Sequence, residues 1–296
     1  MEYWAEATAD RIVGDGPHPQ GKLLFLGAAD TGKTTLMYAV ASRLARSAPV
    51  AVVDADVGQS HIGPPATVGW TILNQEDISL SAWQPEVPEA VLEARGIAFV
   101  GDVTPVGHLL QLAAAIVLCV EQAQQAADVV LIDTPGLVTG GAACALWWTV
   151  HRLLRPELII AVQREEELRD LLAGLTCRLS AIELVKAPPE LRRKLPEARR
   201  RHRARLWTRY FEAAVAHTLD LRDVAVRATH GVSSGNAAGR IVALGDAGGQ
   251  DMAVGAIQRW PQERAKATIR APGLDIHRVR CLTLGDVYID IPPDWS

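Results

Sequence analysis

Residues Gly27-Ala28-Ala29-Asp30-Thr31-Gly32-Lys33-Thr34-Thr35 follow the spacing G-x-x-x-x-G-K-S/T, a turn whose backbone N–H groups and lysine surround phosphate oxygens. The turn works only between a buried strand and a helix N-terminus, where first-turn amides and the helix dipole converge on an anion. Both flanks are present. Lys22 to Leu26 reads KLLFL, and Thr34 to Arg46 carries Leu36, Ala39, Val40, Arg43 and Leu44 at helical spacing. The predicted nucleotide contacts are Gly27, Asp30, Thr31, Gly32, Lys33, Thr34 and Thr35. Lys33 would reach the β- and γ-phosphates, and the Thr34 hydroxyl would take one Mg²⁺ position. The ligand that this turn predicts is a nucleoside triphosphate, ATP or another.

A second apolar run, Pro49 to Val53, ends in Asp54-Ala55-Asp56-Val57-Gly58-Gln59. Carboxylates at the C-terminal end of a parallel strand lie on the sheet edge where doubly wound folds bind ligands. A phosphotransferase needs one there to take a proton from an attacking hydroxyl, and another group to hold Mg²⁺. Asp56 is the candidate base and Asp54 the candidate metal group. Asp128 to Ile132 is a third buried strand closed by Asp133, a second carboxylate suited to a magnesium-bound water. The following Asp133-Thr134-Pro135-Gly136 also matches a GTPase switch turn. A GTPase reading requires Asn-Lys-x-Asp after a later strand, whereas Leu158 to Val162 runs into Gln163-Arg164-Glu165-Glu166-Glu167.

Positions 192 to 209 hold nine Lys/Arg and one Glu in a chain of net charge −4. Arg199 and Arg203 are four apart and share a helix face. Two guanidinium groups on one face can bracket a transferring phosphoryl group or an RNA phosphate. The other basic residues would guide a polynucleotide backbone with little sequence preference.

Four stretches in this order, GAADTGKTT, DADVGQSHIGPPAT, FVGDVTPVGHL and IDTPGLVTGG, resemble the Clp1/Grc3 family of polynucleotide 5′-hydroxyl kinases, in particular its short archaeal-type members. The resemblance covers most of the chain. Asp30 matches the family's P-loop Asp. Asp54, Asp56, Gly58 and Gln59 match its D-x-D-x-G-Q, and Thr134, Gly136 and Gly140 match its T-x-G turn and following glycine. Asp133 and Leu137 depart from the Asn and Trp common there. The resemblance implies transfer of the ATP γ-phosphate to a 5′-OH end of RNA or DNA. It further implies Lys33, Asp56, Arg199 and Arg203 as catalytic, a lid made by the arginine-rich stretch, and substrate contacts from Gln59, Thr134 and Arg200. Because some family members have little or no kinase activity, an ATP-binding scaffold of an RNA-processing assembly is the alternative.

These readings predict an α/β P-loop NTPase fold. A mainly parallel sheet flanked by helices carries an Arg-rich helical lid and a small C-terminal β domain. The expected divisions are a lead-in over 1–20, a kinase core over 21–187, the lid over 188–212 and the β domain over 213–296. The β domain is read from short apolar runs separated by turns such as Gly245 to Gly249. Cys119, Cys144, Cys177 and Cys281 are widely spaced and read as buried thiols of a reducing compartment. The longest apolar run, Leu109 to Val120, contains Gln111 and is too short to span a bilayer. The expectation is a cytoplasmic protein without a membrane partner. His18 reads as surface loop, His108 as a helix-start residue, and Trp147, Trp148 and His151 as packing.

Overall fold

The computed structural model describes residues 2–14, 19–74, 92–175, 180–228, 237–261 and 266–290. His18, Cys177 and residues 75–91 lie outside the described residues. The first half of the chain runs α1 (Glu2–Val13), β1 (Gly21–Gly27), α2 (Lys33–Leu44), β2 (Val50–Asp54), β3 (Thr67–Leu73), β4 (Gly96–Phe99), α3 (Leu109–Gln124) and β5 (Val129–Asp133). It continues with α4 (Gly140–Leu154), β6 (Leu158–Gln163), α5 (Arg169–Ala173), β7 (Ala181–Lys186) and α6 (Pro196–Phe211). Strands β8 (Val215–Asp220), β9 (Ala225–Ala228), β10 (Arg240–Gly245), β11 (Asp251–Arg259), β12 (Lys266–Ala271) and β13 (Cys281–Tyr288) complete it.

The sheet order is β7-β6-β1-β5-β2-β3-β4-β11-β10-β13-β9, with β12 on β11 and β8 on β12. From β7 to β2 all pairings are parallel; β3 and β4 then add antiparallel pairs. The core is therefore mainly parallel inside a mixed sheet. Burial on both faces explains the unbroken apolar runs. Leu24 and Leu26 point to one face, against α3 and α4, while Leu23 and Phe25 point to the other, against α1 and α2, as the two-residue period requires.

Three findings differ from the sequence reading. The lead-in contains a helix: α1 buries Ala5, Ala9 and Val13 against α2, and Arg43 ties the two together through Glu6 at 2.5 Å and through Asp10. The C-terminal strands continue the same sheet, because Asp251 pairs with Ile97 across β11 and β4. They also form a core of their own around Leu219, Val242, Ile257, Ile269 and Leu282. Finally, β13 runs unbroken from Cys281 to Tyr288, where the sequence reading has short apolar runs separated by turns.

Helix α6 belongs to both halves. Its last turns insert Trp207 and Phe211 among Phe99, Ile241, Ala243 and Val254, and the Tyr210 hydroxyl accepts the Val254 N–H at 2.9 Å. His108, at the N-cap of α3, is buried between Asp102 (3.6 Å) and Asp286 (3.5 Å), so it joins the 99–108 turn to β13. Trp147 is fully buried and His151 is buried against Ser180, whereas Trp148 keeps one edge exposed. No described helix is long and apolar enough to cross a membrane.

Candidate active site

The phosphate turn leaves β1 at Gly27 and enters α2 at Lys33. Two positions in it have left-handed backbone, Gly32 at φ +88° and Asp30 at φ +61°. Gly32 sits at the N-cap and offers no side chain to cap the helix, so the first-turn amides remain for an anion. The Thr31 hydroxyl is buried and donates to Ala28 O at 2.9 Å, closing the turn on itself. The place of Gly27 is steric, since a Cβ there would stand 2.6 Å from Val162 O.

Asp133, at the end of β5, lies beside the turn because β1 and β5 pair in parallel with Phe25 opposite Asp133. Thr34 Oγ1 donates to Asp133 Oδ2 at 2.5 Å, and Lys33 Nζ lies 4.0 Å from Asp133 Oδ1. Lys33 is only 5% exposed, an ammonium held in a largely dry site. Asp54 stands opposite Asp133 across the β2–β5 pairing and is equally buried. Burial pushes both carboxyls up; the Asp133 charge raises Asp54 further, while Lys33 and Thr34 pull Asp133 back.

The two aspartates after β2 part company. Asp54 Oδ1 accepts the Asp56 N–H at 2.9 Å, and its Oδ2 accepts the N–H groups of His61 (2.5 Å) and Ile62 (3.3 Å). Both oxygens accept amides of the loop, so Asp54 anchors the loop from within. Asp56 lies beyond the strand end, and its Oδ1 accepts from Gly58 N and Gln59 N, both at 3.1 Å. It is half-buried, as is Gln59. Thr134 is fully buried and its hydroxyl donates to Phe25 O at 2.6 Å, joining β5 to β1. Gly136 has a steric reason, because a Cβ there would stand 2.5 Å from the Ala29 amide nitrogen. The 133–136 turn and the phosphate turn touch backbone to backbone.

Helix α6 crosses this edge. Arg199 donates to Asp30 Oδ2 at 2.5 Å, the Lys194 N–H donates to the same oxygen at 2.9 Å, and Arg164 donates to Asp30 O at 2.5 Å. Asp30 is thus the anchor of the arginine-rich segment, a role its sequence position alone did not reveal. Among the described residues Arg199 Nε is buried without a hydrogen-bond partner, a donor still open to an anion. One turn on, His202 faces His61 with ring centroids 6.2 Å apart. Burial, with Lys194 and other cations, holds both imidazoles below the usual range, His61 at about 3. Asp56 alone pulls His202 the other way. Sequence reasoning passed over this pair because each histidine is solitary in its own segment. Arg203 is half-buried and Arg200 exposed on the same helix.

These donors fit a triphosphate: a turn of backbone amides, a buried lysine, and Arg199 lying against the turn. Among the described residues no three His, Cys, Asp or Glu side chains cluster as a metal cage. The Thr34 hydroxyl and the Asp133 carboxylate are hard oxygen donors of the kind that Mg²⁺ accepts.

The fold and the turn together define an α/β P-loop protein. Residues 27–213 match the family described as mRNA cleavage and polyadenylation factor CLP1 P-loop, and the chain belongs to that family. It is 34% identical over 209 residues to a polyribonucleotide 5′-hydroxyl-kinase of Pyrococcus furiosus, covering 70% of this chain and 55% of that protein. The corresponding kinase of Thermococcus kodakarensis is 36% identical over 218 residues, 71% of this chain and 58% of that one. The chain therefore spans little more than half the length of these relatives. Clp1p in its complex with Pcf11p superposes with a TM-score of 0.71 at 13% identity, covering 97% of this chain and 78% of that one.

Proposed function

We propose that this chain is an ATP-dependent polynucleotide 5′-hydroxyl kinase that acts on RNA, and on DNA to an extent left to the assay below. The observation that carries the reading is one helix, α6, laid across both the phosphate turn (Arg199 to Asp30) and the Asp56 loop (His202 to His61). A phosphate donor and a hydroxyl acceptor would meet beneath it. The names of the archaeal relatives support the acceptor class.

In this reading the phosphate-turn amides, Lys33 and Thr35 bind the ATP phosphates. Asp56 takes the proton of the 5′-hydroxyl through the oxygen that is not bonded to Gly58 and Gln59. The hydroxyl oxygen forms the new bond to the γ-phosphorus as the bond to the ADP oxygen breaks. Arg199 and Arg203 offset charge on the transferring group, and Arg200 with Gln59 contacts the substrate strand. Thr34 and Asp133 would hold Mg²⁺, which would supply charge neutralisation at the phosphates. A helix closed over the site excludes water, which otherwise competes with the hydroxyl as acceptor.

The test is incubation with γ-labelled ATP, Mg²⁺ and 5′-OH RNA and DNA oligonucleotides beside 5′-phosphorylated controls. Label on the 5′-OH strands alone supports the kinase and ranks its substrates. ATP binding without label on either would overturn it in favour of a scaffold.

A further inference from the structure

We propose that a cavity of about 440 Å³ between α6, the head of β4 and the β10–β11 turn is a second binding site, taking one nucleotide unit of the polynucleotide strand beyond the unit held at Asp56. The inference rests on the kinase reading above and deepens it.

The first argument is placement. Along α6, Arg199, His202, Leu206 and Arg209 recur three or four apart and form one stripe. Arg199 stands on the phosphate turn, His202 on the Asp56 loop, and Leu206, Arg209 and Tyr210 in the cavity wall. At 1.5 Å rise per residue, His202 to Arg209 spans roughly 10 Å. The Asp56 loop makes the same connection from the other side. It is closed by Ala66 N–H to Val57 O at 2.9 Å and by Ser60 Oγ to Ile62 O at 2.9 Å. Asp56 lies at its head, and Gly63 and Pro64 line the cavity. A strand whose 5′ end sits at Asp56 has this cavity within reach of its next units.

The second argument is chemistry. The volume is within the range of small-ligand sites. Ile97, Leu206 and Met252 give apolar walls for a base, and Tyr210, held by its hydroxyl at Val254 N, adds an immobilised aromatic ring. Asp251 contributes a carboxylate whose Oδ2 accepts the Phe99 N–H at 2.7 Å, an acceptor of the kind that reads exocyclic amino groups. Arg95 is exposed at the rim beside Glu93, and its guanidinium suits a phosphodiester.

The test uses the full chain and two filling variants, Ala94→Trp just before β4 and Met252→Trp on β11; both positions are half-buried and neither belongs to the phosphate turn, the Asp56 loop or the lid arginines. Two acceptors are compared, a nucleoside 3′-monophosphate, which supplies only the reacting unit, and a short 5′-OH oligoribonucleotide. The expected result is an oligonucleotide KM raised about tenfold or more in both variants, with the KM for ATP and the kcat/KM for the mononucleotide unchanged. Equal losses on both acceptors, or no loss on either in folded variants, would overturn the subsite. Anisotropy of a labelled oligoribonucleotide without ATP separates this from the kinase reading. If the unmodified chain labels neither acceptor, the kinase reading fails, and the subsite stands only if both variants still bind the strand about tenfold more weakly.

Discussion

The contact between the phosphate turn and α6 predicts a measurable coupling. Arg199 and Asp30 meet at 2.5 Å, with side-chain exposures of 29% and 8%. A hydrogen bond to a charged partner contributes roughly 1.5–3 kcal/mol. The guanidinium keeps contact with water, so the lower half applies, about 1.5–2 kcal/mol, or roughly ten- to thirty-fold. The two single changes should differ. Arg199→Ala leaves a nearly buried carboxylate with the Lys194 amide as its remaining partner at Oδ2, and should cost about 2–3 kcal/mol. Asp30→Ala frees a guanidinium that can turn to solvent, but it also puts alanine into left-handed backbone, which adds about 1–2 kcal/mol; that strain is shared by the double variant and cancels in the cycle. The assay is urea unfolding without nucleotide for the parent, both single variants and the double variant, with the coupling taken from the cycle. A coupling under about 0.5 kcal/mol would refute the claim that α6 is held on the phosphate turn by this pair.

Other outcomes follow from the same geometry. Asp56→Asn should abolish phosphoryl transfer while ATP binding measured by calorimetry persists; retained kcat would remove Asp56 as the base. Gly136→Ala places a methyl 2.5 Å from Ala29 N and must push the phosphate-turn backbone. It should weaken ATP binding about tenfold, in line with an overpacking cost of about 1–3 kcal/mol, read by titration with a fluorescent ATP analogue. Burial raises the folded-state pKa of Asp54 and Asp133 above 3.8, so the folded state holds more protons than the unfolded one and stability declines as pH rises from about 4. Asp133→Asn should therefore raise the urea midpoint at about pH 8 more than at about pH 5, while Mg²⁺-dependent turnover falls. His61 has the opposite sign: its pKa drops from 6.5 to about 3, so stability is lost as pH falls from 6.5 toward 3. His61→Gln should flatten that limb in thermal melts taken across the window.

The phosphate turn, the Asp56 loop and the strands β1, β2, β5 and β6 were legible because each depends on neighbours in sequence. Helix α1 was not, since the face it buries is built mainly from Ala5 and Ala9, whose hydrophobic contrast is weak. The continuous sheet was equally hidden, because its junction is a single pairing, Asp251 with Ile97, between residues far apart in the chain.

By itself the sequence determined the phosphate turn, the carboxylates at the strand ends and the basic helix, because local periodicity and short motifs set strand, turn and helix and the end from which their side chains project. Only the tertiary structure decided what each side chain is free to do. Asp54 is occupied by the amides of His61 and Ile62, the Thr134 hydroxyl by Phe25 O, and Asp30 by Arg199, whereas Asp56 has one oxygen tied to its own loop. Hydrogen-bond capacity is finite and its partners are chosen across the fold, so residues with the same motif signature leave folding with different chemistry.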